Sequence, residues 1–177
     1  MFNKIPRIYV ACLASYNAGI RHGEWIDLDG TEDIGERIAD ILKQSPVPDA
    51  EEWAVHDHEY CGCLGEYAGL DALEGLKGAF ERASSDHIGW ELFCDFCDHV
   101  GYDLEGDSVD QFRDSYSGSA SSLVDWCHGY LEDSGMLESI PENLRFYFNY
   151  EAFARDMEIN DVFTVEHGGE THVFYNI

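Results

Sequence analysis

Residues 7–13 read Arg-Ile-Tyr-Val-Ala-Cys-Leu, a run of β-branched and aromatic side chains that predicts a β-strand. Residues 24–28 (EWIDL) alternate between polar and apolar side chains and predict a second strand, and residues 52–56 (EWAVH) predict a third. Asn17 and Gly19 mark a loop between the first two strands. We therefore expect a small antiparallel sheet in the first part of the chain.

Helices are predicted to follow this sheet. Thr31 is expected to cap a helix that runs to about Gln44, where prolines stop it. The pattern is helical again over residues 64–100, and Asp86 is expected to cap the second half of that span.

The last third combines helices with a hairpin. Ser108 and Gln111 have the spacing of a capping box, residues 123–135 give a helix, and Pro141 suits the first turn of another. The final residues predict a β-hairpin that turns at Gly168-Gly169. The whole pattern indicates an α+β fold.

The chain is strongly acidic throughout. It has 36 acidic and 10 basic residues among 177, a formal net charge of -26, yet 45% of its residues are hydrophobic and disorder would need low hydrophobicity as well. Residues 1–60 carry a net charge of -7, residues 61–105 of -8 and residues 106–177 of -11. The acidity therefore belongs to every folded segment and is not an acidic tail.

Many carboxylates recur at the spacing of neighbours on one helix face. Like charges at this spacing cost a helix a few tenths of a kcal/mol each, and residues 83–112 contain no Lys or Arg to offset them. Steps of four residues lie ~6 Å apart along a helix, which is of the same order as the spacing of phosphates along a strand. We predict a surface that imitates the DNA backbone, delocalised over Glu32, Glu36, Asp40, Glu91, Asp95, Asp98, Asp103, Glu105, Asp107, Asp110 and Asp114. Halophilic adaptation would also give an acidic surface, but 14% aromatic residues and six cysteines do not favour it.

A metal-dependent enzyme is an alternative from another class. It would use His56, Asp57, His58, Cys61 and Cys63. A zinc site could also be formed by the four thiolates of Cys61, Cys63, Cys94 and Cys97, with His56, His58 and His99 nearby. The spacings do not suit a zinc knuckle, and buried thiols acting as small hydrophobes are favoured. A calcium loop would use Asp103, Glu105, Asp107 and Asp114, but Ser108 stands where that loop needs glycine. No catalytic motif is present, and we predict no enzyme, cofactor or metal.

Two segments resemble the ArdA-type antirestriction proteins of plasmids and conjugative transposons. Residues 13–25 (LASYNAGIRHGEW) match the pattern Y-N-x-G, three residues, then G-x-W. Residues 140–157 (IPENLRFYFNYEAFARDM) look like the family's antirestriction motif, with Asn149 where Asp is common and Phe153 where Tyr is common. The motif positions are Tyr16, Asn17, Gly19, Gly23, Trp25, Pro141, Tyr150, Ala152, Arg155 and Asp156.

The resemblance implies a fold and a target. The fold is an elongated, curved protomer of three small domains, which we place at residues 1–60 (α+β), 61–105 (helical) and 106–177 (α+β with the antirestriction motif). The implied homodimer mimics bent B-form DNA and occupies the DNA groove of a type I restriction-modification enzyme, formed by the methyltransferase core with its DNA-specificity subunit. Restriction, and often modification, is then blocked without direct binding to nucleic acid.

The motif residues are expected to be architectural, with Trp25 anchoring the first domain and Arg155 paired with Asp156. The aromatic residues of the second motif are expected to lie mostly in the core or otherwise in the dimer contact, and they are Phe146, Tyr147, Phe148, Tyr150 and Phe153.

Two further expectations concern partners and location. An acidic binding protein for other DNA-binding regulators stays open as an alternative function. No stretch has the roughly 20 apolar residues of a membrane span, and the first residues read better as a strand than as a signal peptide. We expect a cytoplasmic protein with free thiols.

Overall fold

A computed structural model describes residues 4–62 and 64–176. The chain groups into two compact units, one up to Asp110 and the other from Gln111 onward. Each unit contains a three-stranded antiparallel sheet together with helices, so the α+β prediction is confirmed. Within the described residues, none of the helices is both long and apolar enough to span a membrane.

The sheet of the first unit has the predicted strands. They are β1 (Arg7–Cys12), β2 (Gly23–Asp27) and β3 (Trp53–Glu59), in the order β2-β1-β3. Because alternate residues of β1 face the core, Ile8 and Val10 are fully buried. A short helix, α1 (Leu13–Asn17), occupies part of the segment that we expected to be a loop.

The next helix, α2 (Ile34–Lys43), begins later than predicted. Its cap is Asp33, whose carboxylate accepts a hydrogen bond from the Glu36 backbone N–H at 2.8 Å. The prediction of Thr31 as the cap is wrong, because Thr31 instead donates both its backbone N–H and its hydroxyl to Asp29.

Two helices cover the rest of the first unit's core. They are α3 (Leu70–Ser85) and α4 (Trp90–Val100). Residues 64–69 were predicted to be helical, but they lie outside both helices. Asp86 follows the last residue of α3, whereas Gly89 precedes α4, so the prediction that Asp86 caps the second helix is wrong. Trp90 and Phe93 are fully buried, and the Trp90 indole N–H donates to the Tyr60 carbonyl oxygen at 2.8 Å.

Helix α5 (Gly106–Ser115) contains the boundary between the two units. It begins two residues before Ser108, so the predicted capping box at Ser108 and Gln111 is wrong. The Ser108 side chain is buried, and its hydroxyl donates to the Asp103 carbonyl oxygen at 2.7 Å.

The second unit surrounds the predicted hairpin with helices. Its elements are β4 (Tyr116–Ala120), α6 (Leu123–Asp133), a 3-10 helix (Met136–Ser139), α7 (Glu142–Arg145), α8 (Tyr150–Asn160), β5 (Val162–His167) and β6 (Glu170–Tyr175). The hairpin of β5 and β6 and helix α6 are confirmed, whereas β4, which pairs with β6, was not predicted. The helix at Pro141 ends after one turn. One cluster of buried residues in this unit contains Trp126, Cys127, Ala154, Met157, Val162 and Val173.

Candidate partner-binding surface

Most of the carboxylates predicted to imitate phosphates are exposed. The exposed ones are Glu32, Glu36, Asp40, Asp95, Asp98, Asp103, Glu105, Asp107 and Asp114. Glu91 and Asp110 are half-buried. The sequence therefore placed these groups largely on the surface, as a partner-binding role requires.

On α2, the acidic row is shorter than its spacing suggested. Glu36 and Asp40 are one turn apart on the exposed side of the helix, opposite the buried Ile38. Glu32 precedes the helix, and its carboxylate lies 3.0 Å from the Arg37 Nε atom. The Arg37 Nη2 atom also contacts Glu24 at 2.7 Å, so one cation is shared between two carboxylates.

On α4, the exposed carboxylates lie opposite a buried aromatic face. Asp95 and Asp98 are exposed, whereas Phe93 and Phe96 are completely buried. Glu91, at the start of the helix, accepts a hydrogen bond from Lys4 at 2.8 Å, and this bond raises the pKa of the lysine. The amphipathic pattern thus directs two of the three predicted carboxylates outward.

Residues 101–107 are here called the acidic loop; they link α4 to α5 and include the first two residues of α5. It carries the exposed carboxylates of Asp103, Glu105 and Asp107 at two-residue spacing. Gly101, with φ of +75°, ends α4 in the left-handed conformation. The loop borders a cavity of about 530 Å³ that is also lined by apolar side chains such as Leu76. Three negative charges are therefore displayed within five residues.

The two carboxylates predicted on α5 differ in their surroundings. Asp110 accepts a hydrogen bond from Arg82 Nη2, and Arg82 Nη1 donates to the Gly106 carbonyl oxygen at 3.1 Å. Asp114 is exposed and lies 3.5 Å from the neighbouring Arg113 Nε atom. Asp110 is thus partly neutralised, as Glu32 and Glu91 are.

Much of the chain's small complement of cations is held in ion pairs with nearby carboxylates. Besides those above, Arg7 contacts Glu59 at 2.9 Å and Lys77 contacts Glu74 at 3.2 Å. Exposed pairs of this kind contribute only about 0–1 kcal/mol each to stability. Their larger effect is on the surface field, because each pair confines a positive charge near its own carboxylate.

Three of the cysteines proposed as metal ligands, Cys61, Cys94 and Cys97, do not have the character of metal ligands or nucleophiles. Burial raises the pKa of Cys61 and of Cys97 to about 12, and burial also raises the pKa of Cys94. The Cys61 thiol donates to the carbonyl oxygens of Arg7 and Glu59 at 3.3 and 3.2 Å. These contacts fit protonated, buried thiols.

The other members of the proposed metal sites do not converge either. Cys63 lies outside the described residues. His56, Asp57 and His58 line a shallow depression with Tyr16, and in the part of the chain that the structure describes no three His, Cys, Asp or Glu side chains are arranged to hold a metal ion. The calcium-loop alternative is wrong in its geometry, because residues 106–114 are helical and do not wrap around a central ion.

In the first motif, glycines are required by the backbone. Gly19 has φ of +73° and follows α1, and a Cβ atom on Gly23 would fall 2.4 Å from the Val10 carbonyl oxygen. Trp25 is partly exposed: its ring packs edge-on against Tyr9 at 5.7 Å, and the Arg7 guanidinium lies 4.8 Å from its centre. Trp25 therefore stabilises the sheet surface and is not a core anchor.

The first motif also has a polar end. Tyr16 is exposed, and its ring packs edge-on against His56 at 4.7 Å. Asn17 is the last residue of α1 and is exposed. Both residues lie at the end of α1, before the turn to β2, and their architectural role stays a prediction.

In the second motif, the residues around Asn149 organise the start of α8. The Asn149 side chain accepts a hydrogen bond from the Ala152 backbone N–H at 3.0 Å, so asparagine serves as the helix cap at this position. Tyr150 stacks on His128, with ring centres 3.5 Å apart. Arg155 and Asp156 are both exposed, and no ion pair joins them in the described structure, so that expectation is wrong.

Two aromatic residues before α8 are exposed, although the aromatic residues of the second motif were expected to lie mostly in the core. Phe146 is 90% exposed and Tyr147 is 78% exposed, and the nearby Leu144 is 50% exposed. Phe148 and Phe153 are half-buried, with ring centres 5.9 Å apart. Helix α7, which Pro141 precedes, has only four residues, and the side chains of Leu144, Phe146 and Tyr147 beside it are exposed.

A comparison with protein-family models matches residues 8–171 to the antirestriction protein (ArdA) family. The chain belongs to the ArdA family. The match spans both motifs and also the central residues, where the sequence alone showed the weakest resemblance. Among curated proteins, no sequence matches the chain.

Membership of the ArdA family assigns a general role. ArdA proteins are antirestriction proteins that act against type I restriction enzymes, and the family consists of inhibitors, not enzymes. The exposed carboxylates, the buried thiols and the exposed aromatic segment are consistent with a binding protein. Arg82 is the residue of this surface that sequence reasoning missed, because its partners lie 24 and 28 residues away and no local pattern marks them.

Proposed function

We propose that this ArdA chain inhibits a type I restriction-modification enzyme by occupying its DNA-binding groove as a mimic of bent B-form DNA. The proposal rests on the nine exposed carboxylates, five of which lie in residues 83–112, where the chain has no Lys or Arg. A groove built for phosphates is lined by Lys and Arg and releases bound anions when an acidic ligand enters. The proposed site therefore consists of surface carboxylates that act through their collective charge.

The charge density is compatible with this role only if the carboxylates are concentrated. The solvent-accessible surface is 10599 Å², so a net charge of -26 corresponds to one negative charge per ~410 Å². B-DNA has roughly one charge per ~110 Å² of its cylinder, from one charge per ~1.7 Å of axis. About a quarter of the surface must then hold most of the charge. Because Lys4 pairs with Glu91 and Arg37 with Glu32, these two members of the predicted set contribute less to that concentration than the other carboxylates do.

The spacing of the carboxylates also supports mimicry. Glu36 and Asp40 are four residues apart on one helix, which corresponds to ~6 Å along its axis. Asp103 and Glu105 are two residues apart, a step that spans roughly 6–7 Å where the chain is extended, and Asp107 follows in the first turn of α5. Both intervals are of the order of the distance between successive phosphates.

The proposed active form is a homodimer in the cytoplasm, where it meets the restriction enzyme and its DNA. The exposed side chains of Leu144, Phe146 and Tyr147 support self-association, because a cluster of large apolar groups on a chain of this charge calls for an apolar partner. We propose that they contribute to the dimer contact. The acidic surface then repeats on two protomers and covers a longer stretch of the groove.

A competition experiment tests the proposed function. Unmodified plasmid is cut by a purified type I enzyme at several concentrations of plasmid and of the chain, and methylation is followed in parallel. The proposal predicts that inhibition of both activities is relieved by added duplex DNA and by added salt. Inhibition that added DNA does not relieve would contradict occupation of the DNA groove.

Charge variants sharpen the same experiment. A single neutralisation, such as Glu36→Gln, is expected to weaken inhibition by less than about threefold, because a loss of one of many delocalised charges is a small part of the total field. Lys43→Gln is the matched control on the same helix, since it changes the charge in the other direction. Complete loss of inhibition in E36Q would contradict a delocalised site.

A further inference from the structure

Arg82 lies directly before residues 83–112, the segment that lacks Lys and Arg, and Arg113 lies directly after it. Arg82 lies on α3, and its guanidinium group makes two hydrogen bonds, from Nη1 to the Gly106 carbonyl oxygen at 3.1 Å and from Nη2 to the Asp110 carboxylate. The planar guanidinium directs these donors at a fixed angle to each other. One side chain therefore attaches α3 both to the end of the acidic loop and to the first turns of α5.

The acidic loop has further attachments among the residues that the structure describes. At its start, the backbone N–H groups of Gly101 and Tyr102 both donate to the Cys97 carbonyl oxygen, at 2.8 and 2.9 Å. In its middle, the Ser108 hydroxyl donates to the Asp103 carbonyl oxygen at 2.7 Å. The Tyr102 ring also packs edge-on against the buried Phe96 at 6.3 Å, and the loop borders a cavity of about 530 Å³. The polar bonds therefore add to the packing that holds the loop.

The loop needs such attachments because its own charges oppose order. Asp103, Glu105 and Asp107 are exposed carboxylates within five residues, and their repulsion favours spread-out conformations. A mobile loop would have to be ordered when the partner binds, and the lost freedom would weaken binding. A loop that is already fixed avoids this cost.

We propose that Arg82 is a positioning residue for the acidic surface, and that it strengthens partner binding by fixing the acidic loop despite its own positive charge. This inference rests on the proposed function. It predicts that loss of Arg82 weakens partner binding, whereas a model in which only net charge matters predicts stronger binding. Loss of Arg82 changes the net charge from -26 to -27, so the charge-only model predicts tighter binding to a basic groove.

The test compares Arg82→Gln with Lys77→Gln in displacement of fluorescent duplex DNA from a type I methyltransferase. Lys77 is on the same helix and is paired with Glu74, and K77Q makes the same change of charge without touching the loop. We expect R82Q to bind about tenfold more weakly than wild type and K77Q to bind as well as or better than wild type. Arg82→Lys, which keeps the charge but loses the fork, should lie between R82Q and wild type. Binding by R82Q equal to that of K77Q would overturn the inference.

A second background separates positioning from a general loss of stability. In a variant that combines Asp103→Asn, Glu105→Gln and Asp107→Asn, the further change Arg82→Gln should alter binding by less than about twofold, because the charges that it positions are gone. The same tenfold loss in this background would overturn the inference.

Hydrogen exchange of the free protein gives a readout that is independent of the partner. Amides of residues 101–107 should exchange faster in R82Q than in K77Q, with the remainder of the first unit unchanged. Equal protection of the loop in both variants would overturn the inference even if wild type displaces DNA. Failure of wild type to displace DNA, with the loop exchanging faster in R82Q, would instead contradict the proposed function and the binding role that rests on it.

Discussion

Gly23 on β2 lies against the backbone of Val10 on β1, so closely that a Cβ atom on Gly23 would fall 2.4 Å from the Val10 carbonyl oxygen. It would also lie 3.0 Å from the α-carbon of Ala11. Backbone atoms cannot rotate away as a flexible side chain can. Any residue other than glycine must therefore push the two strands apart.

Gly23→Ala should destabilise the protein by about 1–3 kcal/mol, the usual cost of inserting a methyl group where there is no space. The free energy of unfolding in urea measures this effect. Gly65→Ala is the matched control, because no atom of the described residues lies within 4 Å of its Cβ position, and it should stay within about 0.5 kcal/mol of wild type. Equal stability of the two variants would contradict the close approach of Gly23.

Phe146→Ser should leave the free energy of unfolding within about 0.5 kcal/mol of wild type, because the side chain is 90% exposed. It should at the same time weaken self-association, measured by sedimentation equilibrium at several concentrations. Phe174→Ala is the contrasting variant in the same unit. Phe174 is fully buried, and its truncation should cost about 3–5 kcal/mol. Destabilisation of the monomer by F146S to that extent would show that Phe146 is a core residue.

His172 should make the second unit less stable as the pH falls below about 6.5, the ordinary pKa of histidine. Burial, aided by the nearby His167, lowers the pKa of His172, whereas Glu170 and Glu166 act in the opposite direction. The unfolded chain then binds more protons than the folded one between the two pKa values, so stability decreases as the pH falls through this range. Unfolding of wild type and of His172→Gln, measured between pH 7.5 and about 5, should show a shallower decrease for the variant. The exposed His87, replaced by Asn, is the control, and a decrease in H172Q as steep as in wild type would contradict the assignment.

Cys61 and Cys97 should react slowly with iodoacetamide at pH 7, because burial raises the pKa of both thiols to about 12 and little thiolate is present. Mass spectrometry of the alkylated peptides, with a urea-unfolded sample as the reference, measures the rates. The native rates should be at least about a hundredfold slower than the unfolded ones. Native rates equal to those of the unfolded chain would be evidence against the buried, protonated state.

Local sequence patterns predicted the elements that are marked by their own residues. The strand at residues 7–13 and the hairpin around Gly168 were predicted because alternation and turn residues are local signals. By contrast, β4 (Tyr116–Ala120) has the sequence YSGSA, without a β-branched residue, and it is a strand because β6 offers it backbone partners. Its formation depends on contacts distant in sequence that no local pattern contains.

The functional surface was predictable in composition but less so in detail. Exposure of Asp95 and Asp98 follows from the amphipathic pattern of α4, whose other face is buried. The start of α2 was misplaced because Thr31 and Asp33 are both good caps, and the burial of Ile34 in the tertiary structure decides between them. Exposure of Phe146 reverses the usual rule that large apolar side chains are buried.

The central claim is that duplex DNA and this chain exclude each other from one groove. Sedimentation velocity of a type I methyltransferase with a fluorescent duplex and a differently labelled chain measures this directly. We predict that each enzyme complex contains the duplex or the chain but never both. Each ligand should displace the other as its concentration rises. A complex that contains the enzyme, the duplex and the chain at once would contradict the claim.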